Sequence, residues 1–354
     1  GVASGGTGGS TPDAPGLGAG DGAASTIVNG LRYDTSTATG SVEDAPNGLQ
    51  LGMSAKVTGP VNADFTRGIA RWVESAADLR GPVTSADFGQ RSFVALGTNV
   101  TTDDATVWAD ASGIEAIQAG QTLQVWGLPS APGVLRATRI EMRPGSAPIL
   151  TGTIQNLDII RRTFSLGGAV VDYSRAAPEG MLDGQWLASG TVVRVRADIS
   201  AAGAPLVAIR LQWWYPVPRA EQAIAQIAGI VTEFSGLGSL RVLGIPVDAS
   251  AAQITGGQAG AIGNGVKVEV GGVVIGGVLH ASTLKMRHVP GTGGPGSFDL
   301  TGTIGAFRSP ADFRVRGQPV NASASATAFV NGQAADLRNG ALVGILGSPV
   351  VNGL

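Results

Sequence analysis

One short phrase occurs five times in this chain and limits what it can fold into. It reads Leu or Ile, two residues, Gly, then apolar side chains three and five positions beyond that Gly. The copies are Leu49 to Gly52 with Ala55 and Val57, Ile117 to Gly120 with Leu123 and Val125, Leu187 to Gly190 with Val193 and Val195, Ile262 to Gly265 with Val268 and Val270, and Leu337 to Gly340 with Val343 and Ile345. Apolar residues two apart fall on one face of a pleated chain, so each copy predicts a turn feeding a half-buried strand. The glycines recur roughly 70 to 75 residues apart, the mark of an internal repeat.

A chain of 354 residues accommodates two or three average domains or five small ones, and the repeat selects five. The 55 glycines and 19 prolines suit many turns rather than long helices. With a net charge of −2, only 14% charged residues and no run of Lys or Arg, the chain has no electrostatic footprint for a nucleic acid. It has no cysteine, which excludes disulfides and thiolate metal sites. No stretch is apolar for long enough to span a bilayer as a helix. A first residue other than Met implies a processed or trimmed N-terminus.

Gly1 to Ala24 is nearly all Gly, Ala, Ser, Thr, Pro and Asp. Too little apolar surface offsets the entropy of ordering it, so a flexible tether is expected over 1–24. Repeats are expected at 25–78, 79–148, 149–226, 227–297 and 298–354. An opening strand of one type recurs at Leu79-Arg80-Gly81, Leu150-Thr151-Gly152, Ile227-Ala228-Gly229 and Leu300-Thr301-Gly302. A closing strand pairs Ala with a large apolar residue three positions on: Ala70 and Val73, Ala137 and Ile140, Ala208 and Leu211, Ala281 and Leu284. The first repeat lacks a clear opening strand and the fifth lacks its closing one. Arg219 to Gln226 reads as a short linker helix, and Ser112 to Ala116 and Asn331 to Asp336 as single helical turns. Pro- and Gly-containing joints at 144–148 and 289–297 suggest a stiff rod. The strand count per repeat predicts an all-β chain of five tandem OB-like barrels, with open two-sheet sandwiches as the other arrangement.

The Gly-Thr-Ile openings, Phe164-Ser165-Leu166-Gly167, the Leu-x-x-Gly turn and Val134 to Ile140 resemble the bacterial domain-of-unknown-function family 5666. Ile27 to Thr35 is similar to the start of many multi-repeat members. The resemblance implies OB-like barrels in a secreted or lipid-anchored protein, extracellular or on the cell surface. The lipidated cysteine that precedes the tether in such proteins is absent here, and the family offers no catalytic residues to carry over.

Nothing in the sequence assembles a reaction, so no enzyme and no cofactor are expected. His280 sits one residue before Ala281, where other repeats carry Arg136 and Val207, and reads as an ordinary strand residue; His288 leads into a linker. Asp103, Asp104 and Asp110 lack the regular ligand series of a calcium loop, so no metal is expected. Serines stand in no Gly-x-Ser-x-Gly elbow. Trp126, on the outward parity, and Trp213, Trp214 and Tyr215, at a joint, are the candidates for stacking on a ligand, a cell-surface glycan before a nucleic acid. Packing between neighbouring units is the plainer reading of these aromatics.

The fifth phrase differs from the others on its outward parity. Earlier copies carry Ser54 and Lys56, Thr122 and Gln124, Arg194 and Arg196, or Lys267 and Glu269, whereas the fifth carries Leu342, Gly344 and Leu346. An apolar outward strip marks an interface. With Val350, Val351 and Leu354 beyond it and Val2, Thr7 and Leu17 in the leader, it predicts a homo-oligomer or polymer. In that reading subunits join head to tail, the N-terminal segment of one completing the last unit of the next by strand addition. The chain is then a non-enzymatic extracellular structural protein, a filament subunit; a surface-anchored glycan- or ligand-binding rod is the alternative.

Overall fold

All five repeated glycines share one backbone conformation: φ is 86° at Gly52, 87° at Gly120, 89° at Gly190, 88° at Gly265 and 85° at Gly340. That is the left-handed region, which a residue without Cβ enters freely. The computed structural model describes residues 2–6, 25–28, 31–34, 37–43, 52–62, 65, 67–103, 106–180, 186–198, 204–214, 222–288, 298–315 and 318–347. In four copies the glycine N–H donates to an opening-strand carbonyl, from Gly120 to Val83, Gly190 to Ile154, Gly265 to Val231 and Gly340 to Ile304. The phrases therefore occupy like places, and the chain is an all-β stack of repeated units.

The first unit contains β1 (Val2–Gly6), β2 (Ser25–Val28), β3 (Leu31–Asp34), β4 (Thr39–Val42), β5 (Ser54–Thr58), β6 (Arg67–Ile69) and β7 (Trp72–Ser75). The second has β8 (Leu79–Asp87), β9 (Ser92–Ala95), β10 (Thr98–Thr101), β11 (Val107–Trp108), β12 (Thr122–Ala131) and β13 (Val134–Met142). The third has β14 (Ile149–Asp158), β15 (Thr163–Leu166), β16 (Ala169–Asp172), β17 (Pro178–Glu179), β18 (Val192–Asp198) and β19 (Leu206–Trp213). The fourth has β20 (Ile224–Gly236), β21 (Ser239–Val242), β22 (Ile245–Asp248), β23 (Gln253–Thr255), β24 (Lys267–Ile275) and β25 (Val278–His288). The fifth has β26 (Phe298–Ser309), β27 (Asp312–Val315), β28 (Gln318–Val320) and β29 (Leu342–Gly347). Single 3-10 turns at Ile114–Ala116, Ala259–Ala261 and Ala334–Asp336 precede β12, β24 and β29.

In the second unit β8 pairs with β9, β9 with β10, β10 in parallel with β13, β13 with β12, and β12 with β8, so the pairing returns to its first strand. The third and fourth units repeat this order. Ladders also run between units. β8 pairs with β14, which places the second and third units in one 12-stranded sheet. The expectation of five separate barrels is thus too fine: the units are stacked and share hydrogen-bonded sheets.

The leader also differs from expectation, because part of it is a strand. β1 lies antiparallel to β5, with Gly5 opposite Ala55. Gly81 faces Leu123, Gly152 faces Val193, Gly229 faces Val268 and Gly302 faces Val343 in the same way. Ala3-Ser4-Gly5 is therefore the opening strand of the first unit, which the sequence reading did not find. β1 also runs parallel to β20 of the fourth unit.

That ladder corrects the rod. The first unit touches the fourth, and the fifth touches the second, where Arg314 Nη2 donates to the Ala111 carbonyl at 2.6 Å. Val107 of the second unit is buried with Ile304, Phe313, Val315 and Val320 of the fifth. Side chains far apart in sequence supply these contacts, so joint composition does not determine the arrangement. The linker helix is corrected as well. Of its described part, Gln222 to Gln226, Ile224 to Gln226 are strand, paired with Val273 to Gly271 of β24.

Candidate functional sites: an uncovered strand face and a three-unit cleft

The strand after each phrase glycine has an inner and an outer face. Inner residues Ala55, Val57, Leu123, Val125, Val193, Val195, Val268 and Val270 are buried. On the outer faces of β5, β12, β18 and β24 the polar residues Ser54, Gln124, Arg194, Lys267 and Glu269 are buried too, while Thr122 and Arg196 are half-buried. β29 reverses this, since its outer residues Leu342 and Gly344 are apolar and exposed, Leu342 to 73%. Its inner residues Val343 and Ile345 pack on the Phe313 cluster. Among the described residues β29 pairs with β26 alone.

The covered faces are held by specific polar contacts. The Asp78 carboxylate accepts hydrogen bonds from Ser54 Oγ at 2.8 Å, the Gly127 amide at 2.9 Å and Arg194 Nη2 at 3.1 Å. Arg194 Nη2 also donates to the Ala76 carbonyl at 2.7 Å, and its guanidinium lies 3.3 Å from the centroid of Trp214. Burial pushes the Asp78 carboxyl above its ordinary range, against the pull of the Arg194 charge and the Gly127 and Ser54 donors. Arg196 and Arg210 of the third unit both pair with Glu43 of the first. Sequence parity placed Arg194 and Arg196 outward, but nothing local pointed to Asp78 or Glu43 as their partners.

The tryptophans divide in the same way. Trp126 does point away from its own unit, yet it is buried among Met53, Phe65 and Val73 of the first. It is an inter-unit core residue and not a ligand platform. Trp214 is buried beneath Arg194, and Tyr215 lies outside the described residues. Trp213, half-buried, lines a cleft of about 990 Å³ where the second, third and fourth units meet.

Residues 80–141 and 301–354 match DUF5666, a domain of unknown function. The first DUF5666 segment spans β8 to β13 almost whole, so the family's length corresponds to one unit of the stack. The second begins within β26 and includes the uncovered β29. A DUF5666 unit therefore occurs here both with its outer strand face covered, at Gln124, and with it bare, at Leu342. No curated protein matches the chain. Among solved structures, a chain of Drosophila Unr (CSD456) is similar over 60% of this chain and 98% of its own, at 14% identity and a TM-score of 0.15, too low to carry an argument.

The remaining candidates are dispersed. His288 is the last residue of β25, opposite Lys267. His280 Nδ1 lies 3.5 Å from Asp248 Oδ2. Asp103 faces Arg136 at 3.7 Å, and Asp110 accepts the Met142 amide at 2.9 Å. Val2 is in β1 and Leu346 in β29. Thr7, Leu17, Val350, Val351 and Leu354 lie outside the described residues, as does Asp104.

Proposed function

We propose that the chain is a non-enzymatic structural subunit that assembles head to tail, the outer face of β29 docking against a β unit of a second copy. One observation carries this reading. On the first four units the outer residues Ser54, Gln124, Arg194, Lys267 and Glu269 of the phrase strands are buried although polar, while on the fifth Leu342 and Gly344 are exposed although apolar. An apolar surface left in water favours association, and in this chain the equivalent surfaces are buried within a stack of similar units. A contact between the fifth unit of one copy and an earlier unit of the next is heterologous, so it propagates unless the rotation closes a ring. Val2–Gly6 is already paired with β5 and β20 of its own chain, which favours face packing over donation of the leader. Placement outside the cell or on its surface follows the family resemblance alone.

Negative-stain imaging and sedimentation of the purified chain test the proposal. Concentration-dependent rows of particles are expected, persisting when residues 7–24 are removed and lost on Leu342→Glu. Discrete particles of constant size at all concentrations would reject it.

A further inference from the structure

A second surface, independent of β29, sits at the junction of three units. The cleft beside Trp213 has a volume of about 990 Å³, at the upper end of the roughly 300–1,000 Å³ typical of small-molecule sites. One wall is the Pro129–Pro132 hairpin tip of the second unit, another the Thr153–Asn156 segment of β14, and a third the Arg241–Pro246 hairpin of the fourth unit.

The lining limits the ligand chemistry. Its charged side chains, Glu233 and Arg241, pair with each other at 2.8 Å, so the cleft has no surplus charge for a phosphate or a carboxylate. The rest of the polar lining is amide and hydroxyl chemistry, from Gln155, Asn156 and Asn264 and from Ser and Thr side chains of all three units, together with the half-buried Trp213. Asn264 Oδ1 is engaged by the Phe234 amide at 2.9 Å, which fixes its side chain. Proline and isoleucine side chains complete the apolar part of the wall. A neutral oligosaccharide has the complementary surface: ring C–H faces that lie on an indole and hydroxyls that exchange hydrogen bonds with amides. We infer that this three-unit cleft binds a neutral oligosaccharide, with Trp213 as the stacking platform and Gln155 and Asn156 as hydrogen-bonding partners.

Isothermal titration of the whole chain with cellohexaose, maltohexaose and chitohexaose, each set against a polyuronic acid hexamer, tests this. Saturable binding of at least one neutral hexaose is expected, weakened at least about tenfold by Trp213→Ala and by Gln155→Ala. Trp186→Ala, at an 83% exposed tryptophan outside the cleft, should leave it unchanged. Should Trp213→Ala fail to fold, Gln155→Ala decides alone, since its side chain is only half-buried. No binding of any neutral hexaose, preference for the polyuronic acid, or binding that survives the cleft substitutions would overturn the inference.

Discussion

Arg194 and Asp78 stand 116 positions apart in the chain and meet at 3.1 Å with both side chains fully buried. Asp78 lies between the first two units, and Arg194 belongs to the third. Removing one partner of such a pair leaves the other charge buried and uncompensated, at a cost of about 3–5 kcal/mol. Arg194→Met and Asp78→Ala are each expected to lower stability by that amount in urea titrations. The double variant should lose clearly less than the two losses added together. Additive losses would show that the pair is not coupled.

The phrase glycines separate backbone strain from crowding. A Cβ on Gly120 or Gly190 meets nothing within 4 Å, so Gly→Ala there costs only the left-handed backbone, about 1–2 kcal/mol. At Gly271 the backbone is not left-handed, but a Cβ would stand 2.7 Å from the Phe65 ring. Gly271→Ala is therefore expected to displace Phe65 and loosen the first unit from the fourth. Hydrogen exchange should rise in 54–58 and 224–230 while 79–142 stays protected. A uniform rise across the chain would refute a local wedge.

What the sequence made legible was local. The period-2 strands and the Gly turn depend on residues within about ten positions, and five copies reinforced the pattern. The first opening strand escaped because Ala3 stands where the other units have Leu or Ile, leaving Gly5 as its only cue among many leader glycines. Coverage of the outer faces escaped for a different reason. Parity shows that Trp126 and Arg194 point away from their own units, but Met53, Asp78 and Trp214 reach them from other parts of the chain. The rod failed on the same grounds, through Val107 and Arg314.

Three surface turns are expected to make the stability of the fold depend on pH in the acid range. The Asp158 carboxyl is held below its ordinary range chiefly by the Arg161 amide at 2.8 Å. Asp172 is lowered chiefly by hydrogen bonds from Ser174, and Asp248 by those from Ser250, whose Oγ lies at 2.6 Å. A depressed folded value means the unfolded chain takes up these protons more readily. The stability they contribute is present above the ordinary Asp value of about 3.9 and is lost as pH falls through the folded values. Replacing all three with Asn keeps an acceptor oxygen and removes the titration. The melting temperature of that variant should fall less than that of the wild type between about pH 5 and about pH 2.5. Parallel curves would assign the acid sensitivity elsewhere.

β1 offers the most direct check on how the stack is joined. Its register places Val2 to Gly6 opposite Thr58 to Ser54 on one side and Val2 to Ser4 beside Ala225 to Ile227 on the other. Deleting residues 1–6 strips β5 and β20 of one of their paired strands, leaving β7 and β24 on the other side, while removing little apolar surface, since the segment contains no side chain larger than Val2. The loss should therefore be local. Amide exchange in 54–58 should accelerate at least about tenfold, equivalent to about 1.4 kcal/mol of easier opening, with a smaller effect in 225–227. A synthetic peptide of Gly1 to Ser10, added in excess, should restore protection of 54–58. Deleting 7–24 in a separate chain, with residue 6 joined to residue 25, tests whether proximity alone suffices. If removing 1–6 left exchange in both strands unchanged, β1 would be no more than a tether end, and the first and fourth units would be joined through other contacts such as that of Phe65 with Gly271.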